Sequence, residues 1–358
     1  MKITLKLIFS LLCFPTIFFA QNEQEIKQPK NIILLIGDGM GVGQIYGGLT
    51  ANKGKLNLER IQFVGFHKNQ ATDNFVTDSA AGATSFATGE KTYNGAIGVD
   101  SIQNNLLTIL EIAEKKGLAT GLLATCSITH ATPASFIAHQ PSRKMDEEIA
   151  VDFLKTDIDL FIGGGRKYFS NRKDGRNLIK ELEIQNYQIA NSIDEVEKIS
   201  KGKLAAFLAE EQQLKVSEGR GEELLRSTKV ALNILNQNEK GFFVMIEGSQ
   251  IDWGGHANDT EYVINEMLDF DKVIGEAIDF AEKDGNTLVI ITADHETGGM
   301  AITNGNMKTG EVEVKFVTKG HTGVMIPVFA YGPGAKNFSG IYNNYDIFNK
   351  MLKAYSFQ

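Results

Sequence analysis

The segment FVTDSAAGATSFATG, residues 75–89, sets an acid and a serine side by side where an apolar approach gives way to very small residues. Asp78 and Ser79 fit an ordinary helix cap, and Ser79 equally fits a nucleophile at a helix N-terminus. No histidine adjoins it, so an activator has to come from elsewhere in the chain. Four other stretches offer chemistry of the right kind. GDGMGVG places Asp38 among glycines after the apolar run 31–36, where it reads as a turn or as a ligand. A dinucleotide loop is disfavoured there, because the acid would repel a pyrophosphate. EGSQIDWGGH sets Glu247, Asp252 and His256 within ten residues. The four-residue spacing of Asp252 and His256 lets one helical turn aim both at one centre. TADHETGG supplies adjacent Asp294 and His295, and HTG supplies His321.

Of six histidines in the chain, three (His256, His295, His321) fall at such positions with acids nearby, which singles them out as ligands over solvated loop residues. Asp38, Asp252, His256, Asp294, His295 and His321 suffice for two neighbouring zinc ions, since hard oxygens beside imidazole suit zinc. Two cations about 4 Å apart clamp a phosphoryl group. A zinc-coordinated serine hydroxyl also loses its proton without a general base. In SITHATPASFIAHQPSRK, Pro133 after Thr132 marks the first turn of a helix. Arg143, expected at the far end of that helical region, can hold two phosphate oxygens or be a surface arginine.

The elements that must position these residues are legible as continuous apolar runs alternating with helical stretches. Strands are expected over 31–37, 118–126, 159–164, 241–248, 287–292 and around 324–331, with helices over 106–117 and 259–283. This is an α/β pattern: a central, mostly parallel sheet with helices on both faces, whose ligands gather beyond the carboxyl ends of the strands. The more charged 165–240 stretch is expected as helices and connections on the sheet periphery, within a single catalytic domain spanning 21–358.

The chain has 358 residues, 42% hydrophobic and 22% charged, ample for a large core. MKITLKLIFSLLCFPTIFFA has the layout of an export signal cut after Ala20, so the mature protein is expected in the periplasm or outside the cell, with no stable membrane anchor. Losing Lys2 and Lys6 takes the formal charge from −8 to −10, which disfavours nucleic-acid binding. Only Cys126 then remains, so no internal disulfide forms.

Taken together, LIGDGMG, VTDSAAGATSFATGEKTYNGAIGVD, THATPASFIAH…SRK, IEGSQIDWGGHAND, TADHETGG and HTG resemble the alkaline phosphatase family, in order and over most of the chain. The resemblance implies the family's three-layer fold and hydrolysis of small phosphate monoesters through a phosphoserine on Ser79, with Arg143 binding phosphate and Asp78 positioning it. It implies one zinc on Asp252, His256 and His321, and a second on Asp38, Asp294 and His295, joined by Ser79. A third ion, usually magnesium, would sit with Asp38, Thr132 and Glu247. His130 and Trp253 stand where the best-studied enterobacterial member has Asp and Lys. His130 is expected to bind or orient the third ion, which puts magnesium there in doubt. Trp253 lacks a cation for phosphate, so a less tightly bound product is expected. The chain is short for the family, so large dimer-interface insertions should be absent, although homodimers are usual in it.

Two other readings compete. A phosphodiesterase or nucleotide pyrophosphatase of the same superfamily typically has a threonine nucleophile and no third metal site, against which Ser79, Thr132, Glu247 and Arg143 all speak. A non-catalytic exported metal- or phosphate-binding protein should have lost a ligand or the nucleophile, and none is missing.

Overall fold

The computed structural model describes residues 28–357; the expected export signal lies outside the described residues. The strands are β1 (Asn31–Gly37), β2 (Phe63–Lys68), β3 (Ala119–Ser127), β4 (Leu160–Gly164), β5 (Gln188–Ala190), β6 (Leu204–Phe207) and β7 (Phe242–Gly248). They continue with β8 (Thr287–Thr292), β9 (Glu296–Thr297), β10 (Ala301–Asn306), β11 (Glu311–Lys315), β12 (His321–Thr322), β13 (Ile326–Tyr331) and β14 (Gly340–Asn343). Ten of them form one sheet in the order β14-β2-β13-β8-β1-β7-β3-β4-β6-β5. Every ladder in it is parallel except those of β13, which runs antiparallel to both β2 and β8. Two small pairs, β10 with β11 and β12 with β9, stand apart from it.

The central strands are apolar without alternation because both faces are covered. Successive side chains of a strand point to opposite faces. Ile32, Leu34 and Ile36 of β1 accordingly enter one core with Phe86 and Phe136, while Ile33 and Leu35 enter the other with Met267, Phe270 and Ile274. Each such fully buried side chain contributes about 1.5–3 kcal/mol of apolar transfer. The helix Thr260–Asp284 lies on the second face, started by Asp259, whose carboxylate accepts from Tyr262 N at 3.1 Å. The first face carries the helix Ser79–Thr88, all ten residues of which are buried.

Some elements differ from the sequence expectation. The helix expected over 106–117 is only Ile109–Lys115, because Thr108 caps it in a reciprocal box with Glu111. The helix begun by Pro133 is one short turn, Ala131–Ala134, so Arg143 is carried by the loop that follows rather than by a helix end. The 165–240 stretch supplies helices, as expected, and also β5 and β6, which extend the sheet in parallel beyond β4. These strands have three and four residues, too short for a periodic signal. Among the described residues no helix is long and apolar enough to cross a membrane.

Register places the chemistry. β1 lies between β8 and β7, with Ile36 opposite both Thr292 and Glu247. Asp38 and Asp294, each two residues further on, therefore arrive at the same level above the sheet, beside Glu247.

Candidate metal centre

Three groups of side chains meet at this carboxyl edge: Asp252 with His256 and His321, Asp38 with Asp294 and His295, and Cys126 with His130 and Glu247. In the first, His256 Nε2 lies 3.4 Å from Asp252 Oδ2, His321 Nε2 lies 3.5 Å from Asp252 Oδ1, and the two Nε2 atoms are 3.2 Å apart. In the second, His295 Nε2 lies 3.5 Å from Asp38 Oδ1, 3.2 Å from Asp294 Oδ2 and 3.2 Å from Ser79 Oγ. Ligands about 2.0–2.1 Å from a tetrahedral zinc stand about 3.3 Å from one another. These separations match that spacing, and Ser79 Oγ stands at a similar distance from His295 Nε2.

The histidines are held for this task. His256 Nδ1 donates to the carbonyl of Lys319, and His321 Nδ1 to that of Thr77 at 2.9 Å, leaving each Nε2 facing its group. His295 Nδ1 donates to Thr297 Oγ1 at 3.2 Å, and Thr297 in turn donates to Asp252. Thr297 thus orients one ligand from each of the first two groups. Glu296 beside it fastens β9 to the turn behind, taking bonds from Gln44, Met300 N and Thr322. Neither residue was singled out in the sequence. Their only signal is adjacency to His295, and a threonine hydroxyl's partners cannot be read from a linear pattern. Gly39, in the turn after β1 at φ +73°, admits the Asp252 backbone: a Cβ there would stand 2.7 Å from Asp252 Cα.

Ser79, His295 and the nearby acids superficially form a nucleophile–base–acid arrangement. In such a triad the acid holds the histidine nitrogen opposite the serine. Here Asp38, Asp294 and Ser79 all crowd the same Nε2, and the opposite nitrogen is engaged by Thr297. Burial, then His321, pushes the His295 imidazole well below its usual range, which disfavours the charged ring. The geometry is that of ligands around a cation.

The electrostatics agree. Asp38 is fully buried and neither of its carboxylate oxygens has a hydrogen-bond partner. Burial, then Asp294, Asp252 and Glu247 facing it, pushes its carboxyl well above the ordinary range. Burial, with Asp252 beyond it, raises Asp294 to about 6. Burial likewise raises Glu247 to about 7. Asp252 alone is held low, against its own burial, by the imidazoles that bond it, and its bond to His256 raises that ring to about 9. Asp294 Oδ2, Thr132 Oγ1 and Glu247 Oε1 are also buried without partners. Mutually repelling acids with free lone pairs suit bound cations, and the residues present fit them.

Asp78 turns out to be a cap and more. Its Oδ1 accepts from Ala81 N at 3.0 Å, while its Oδ2 pairs with Arg143 Nη1 at 3.1 Å. Arg143 also donates through Nη2 to His130 Nε2 at 3.3 Å, and His130 packs edge-on against the half-buried Trp253. Ser79 opens a helix whose first amides favour an anion. Within that helix Gly82 lets the backbone sit against Asp294: a Cβ on Gly82 would stand 3.1 Å from Asp294 Cβ. The structure therefore brings together every site residue expected from the sequence: Asp38, Asp78, Ser79, His130, Thr132, Arg143, Glu247, Asp252, Trp253, His256, Asp294, His295 and His321.

Comparison with known proteins gives a consistent picture. The family described as alkaline phosphatase matches residues 29–312. Alkaline phosphatase 4 of Bacillus subtilis is 36% identical, covering 93% of this chain and 90% of its own length. The alkaline phosphatase of Escherichia coli K12 is 32% identical over 92% of this chain and 86% of its own. Among solved structures, the alkaline phosphatase of the Antarctic bacterium TAB5 superposes with a TM-score of 0.88 at 43% identity, covering 93% of this chain and all of that one. A histidine-to-glutamate mutant of that enzyme is described with magnesium in its M3 site.

Proposed function

The chain belongs to the alkaline phosphatase family and hydrolyses phosphate monoesters, and we propose that it does so through a phosphoserine on Ser79. The observation that carries this reading is the position of Ser79 Oγ, 3.2 Å from His295 Nε2 at the edge of a ligand set with zinc spacing. Asp252, His256 and His321 would hold one zinc; Asp38, Asp294 and His295 would hold a second. Asp38, Thr132 and Glu247, oxygen donors suited to magnesium, would hold a third cation, with His130 beside them. When bound, these cations supply positive charge that acidifies a nearby hydroxyl and stabilises the phosphoryl oxygens.

The chain's own residues do the rest. Arg143, held at the site by Asp78, receives two non-bridging phosphate oxygens bidentately. Ser79 Oγ attacks phosphorus as the bond to the alcohol oxygen breaks, giving phosphoserine and free alcohol. Water then attacks the same phosphorus from the opposite side, releasing inorganic phosphate and restoring Ser79. Most of the acceleration is positioning and charge complementarity. Trp253, with no cation to offer, leaves Arg143 as the principal protein contact for product, so Trp253→Lys should bind phosphate more tightly. Equal phosphate inhibition constants in the two proteins would contradict that.

The reading is tested by comparing hydrolysis of an aryl phosphate with that of a bis-aryl phosphate, in wild type and Ser79→Ala. A monoester preference lost with Ser79 supports it. A diester preference, or full activity in Ser79→Ala, refutes it. The mature protein is proposed to act outside the cytoplasm as one catalytic domain, with the 165–240 stretch on its periphery.

A further inference from the structure

We infer that Asn94 and Gly95, the turn of KTYNG, position Arg143 by fixing both of its ends. The inference rests on the reading of Arg143 as the phosphate-binding residue and names what holds it there. Arg143 lies in a loop, and its side chain is 25% exposed. A long, partly solvated side chain samples many rotamers unless its base and its tip are both held. The base is held by Gly95, whose carbonyl accepts from Arg143 N at 2.7 Å. The tip is held by Asp78, whose Oδ2 accepts from Nη1 at 3.1 Å. Asp78 is held in turn by Asn94, whose Oδ1 accepts from Asp78 N at 2.8 Å. Two adjacent residues thus set both ends of the arginine.

The turn is itself braced from several sides. Asn94 Nδ2 donates to the carbonyl of Val76, and Asn94 N to Asp73 Oδ1, both at 3.0 Å. The Tyr93 hydroxyl donates to the carbonyl of Pro141 at 2.9 Å. Ile97 and Gln140 exchange backbone bonds at 3.0 and 2.9 Å. Thr84, on the helix that Ser79 opens, donates to the carbonyl of Ala96 and accepts from Gly98 N, both at 3.1 Å. Residues 93–98 therefore clip the arginine loop to the nucleophile's helix, which keeps Arg143 and Ser79 at one spacing. The turn needs glycine: Ala96 N closes it on the carbonyl of Tyr93 at 3.2 Å, with Gly95 at φ +92°. A Cβ on Gly95 would meet nothing within 4 Å, so a substitution there strains the backbone without a clash.

The test is inhibition by inorganic phosphate of aryl phosphate hydrolysis, with the full chain loaded with metal. The inhibition constant does not depend on how much of the protein is folded, so a merely structural role leaves it unmoved. Asn94→Ala should raise it about tenfold, the worth of one hydrogen bond to a charged group. The loss is partial because His130 still takes a bond from Arg143 Nη2. Gly95→Ala, which acts on the base of the arginine, should raise the constant as well. In an Arg143→Ala background the added Asn94→Ala should change it by less than about twofold, because the two changes act through one group. An unchanged constant in either single variant overturns the inference, and so does the same tenfold rise without Arg143. If Arg143→Ala alone leaves the constant unchanged, the phosphate role of Arg143 falls, and the inference with it. Gly95→Ala decides the matter should Asn94→Ala fail to fold.

Discussion

Two regions of this protein bury acids, and they handle them in opposite ways. Behind the helix Thr260–Asp284, Arg220 Nη2 bonds Glu266 at 2.5 Å and Asp269 at 2.9 Å, all three side chains at most 3% exposed. Glu266 takes a further bond from Val216 N, and Arg220 gives one to the carbonyl of Leu214. Each acid there has a donor from within the chain. At the carboxyl edge of β1, β7 and β8, Asp38, Asp252, Asp294 and Glu247 are equally buried, and the one arginine nearby, Arg143, faces Asp78. The first cluster pairs both of its acids as folded, with Arg220 Nε alone of its named groups left without a partner. The second is short of positive charge, and that shortage is what a site for cations and a phosphate dianion requires. Buried charge alone therefore does not mark function; buried charge without a partner does.

The largest expected effect separates the two regions by chelation. Stripping divalent metal should lower kcat/KM by at least about a thousandfold, since even one preorganised stabilising group is worth a hundred- to a thousandfold. It should also make the unfolding midpoint depend on zinc concentration, because a ligand of the native state stabilises it by mass action. Activity assays and calorimetry with and without chelator check the two effects, and an unchanged midpoint would erase the contrast.

Next come the substitutions that should part company. Arg220→Met strands two buried carboxylates and should cost about 3–5 kcal/mol of stability with or without metal. The folded fraction should keep its kcat/KM. Asp38→Asn should do the reverse in the stripped protein, raising stability by about 1–3 kcal/mol by removing an uncompensated acid. In the zinc-loaded protein the same change should lower both stability and activity. Denaturant titrations of the two variants in both metal states measure this crossing. If Asp38→Asn destabilises the stripped protein, the charge shortage is not real.

The smallest effect concerns a half-buried acid lying outside both clusters. Burial raises the Glu114 carboxyl to about 7, although Thr120 donates to it at 2.8 Å. Its folded pKa exceeds the unfolded value of 4.5, so the native state binds more protons between these limits. Stability should therefore fall as pH rises from about 4.5 to about 7 and level off above. Glu114→Gln should flatten that slope by less than about 1 kcal/mol, given its exposure to screening solvent. Urea unfolding of both proteins at pH 5 and pH 8 tests it.

The two regions also differed in how far the sequence disclosed them. Much of the site was legible because four of its ligands close a continuous apolar run: Asp38 after β1, Glu247 on β7, Asp294 and His295 after β8. Parallel register then carries them to one level, and the Asp252–His256 spacing survives as a turn of the helix Gln250–Ala257. The arginine triad was not legible, because Arg220 sits in a loop 46 and 49 residues from its acids, with no local pattern joining them. Thr297 was hidden for a similar reason, since its role lies in partners on two other segments. β2 and β14, the short strands at the far edge of the sheet, lack the continuous apolar signature that both-sided burial imposes on β1 and β7.

The central claim is that bound cations make good the charge shortage at Asp38, Asp252, Asp294 and Glu247 and so make Ser79 the nucleophile. Acid-quenching the enzyme with radiolabelled inorganic phosphate and mapping the labelled peptide tests it directly. The account predicts one labelled residue, Ser79, in the metal-loaded protein and no label after chelation. Label on another residue, or label on Ser79 that survives metal removal, would contradict it.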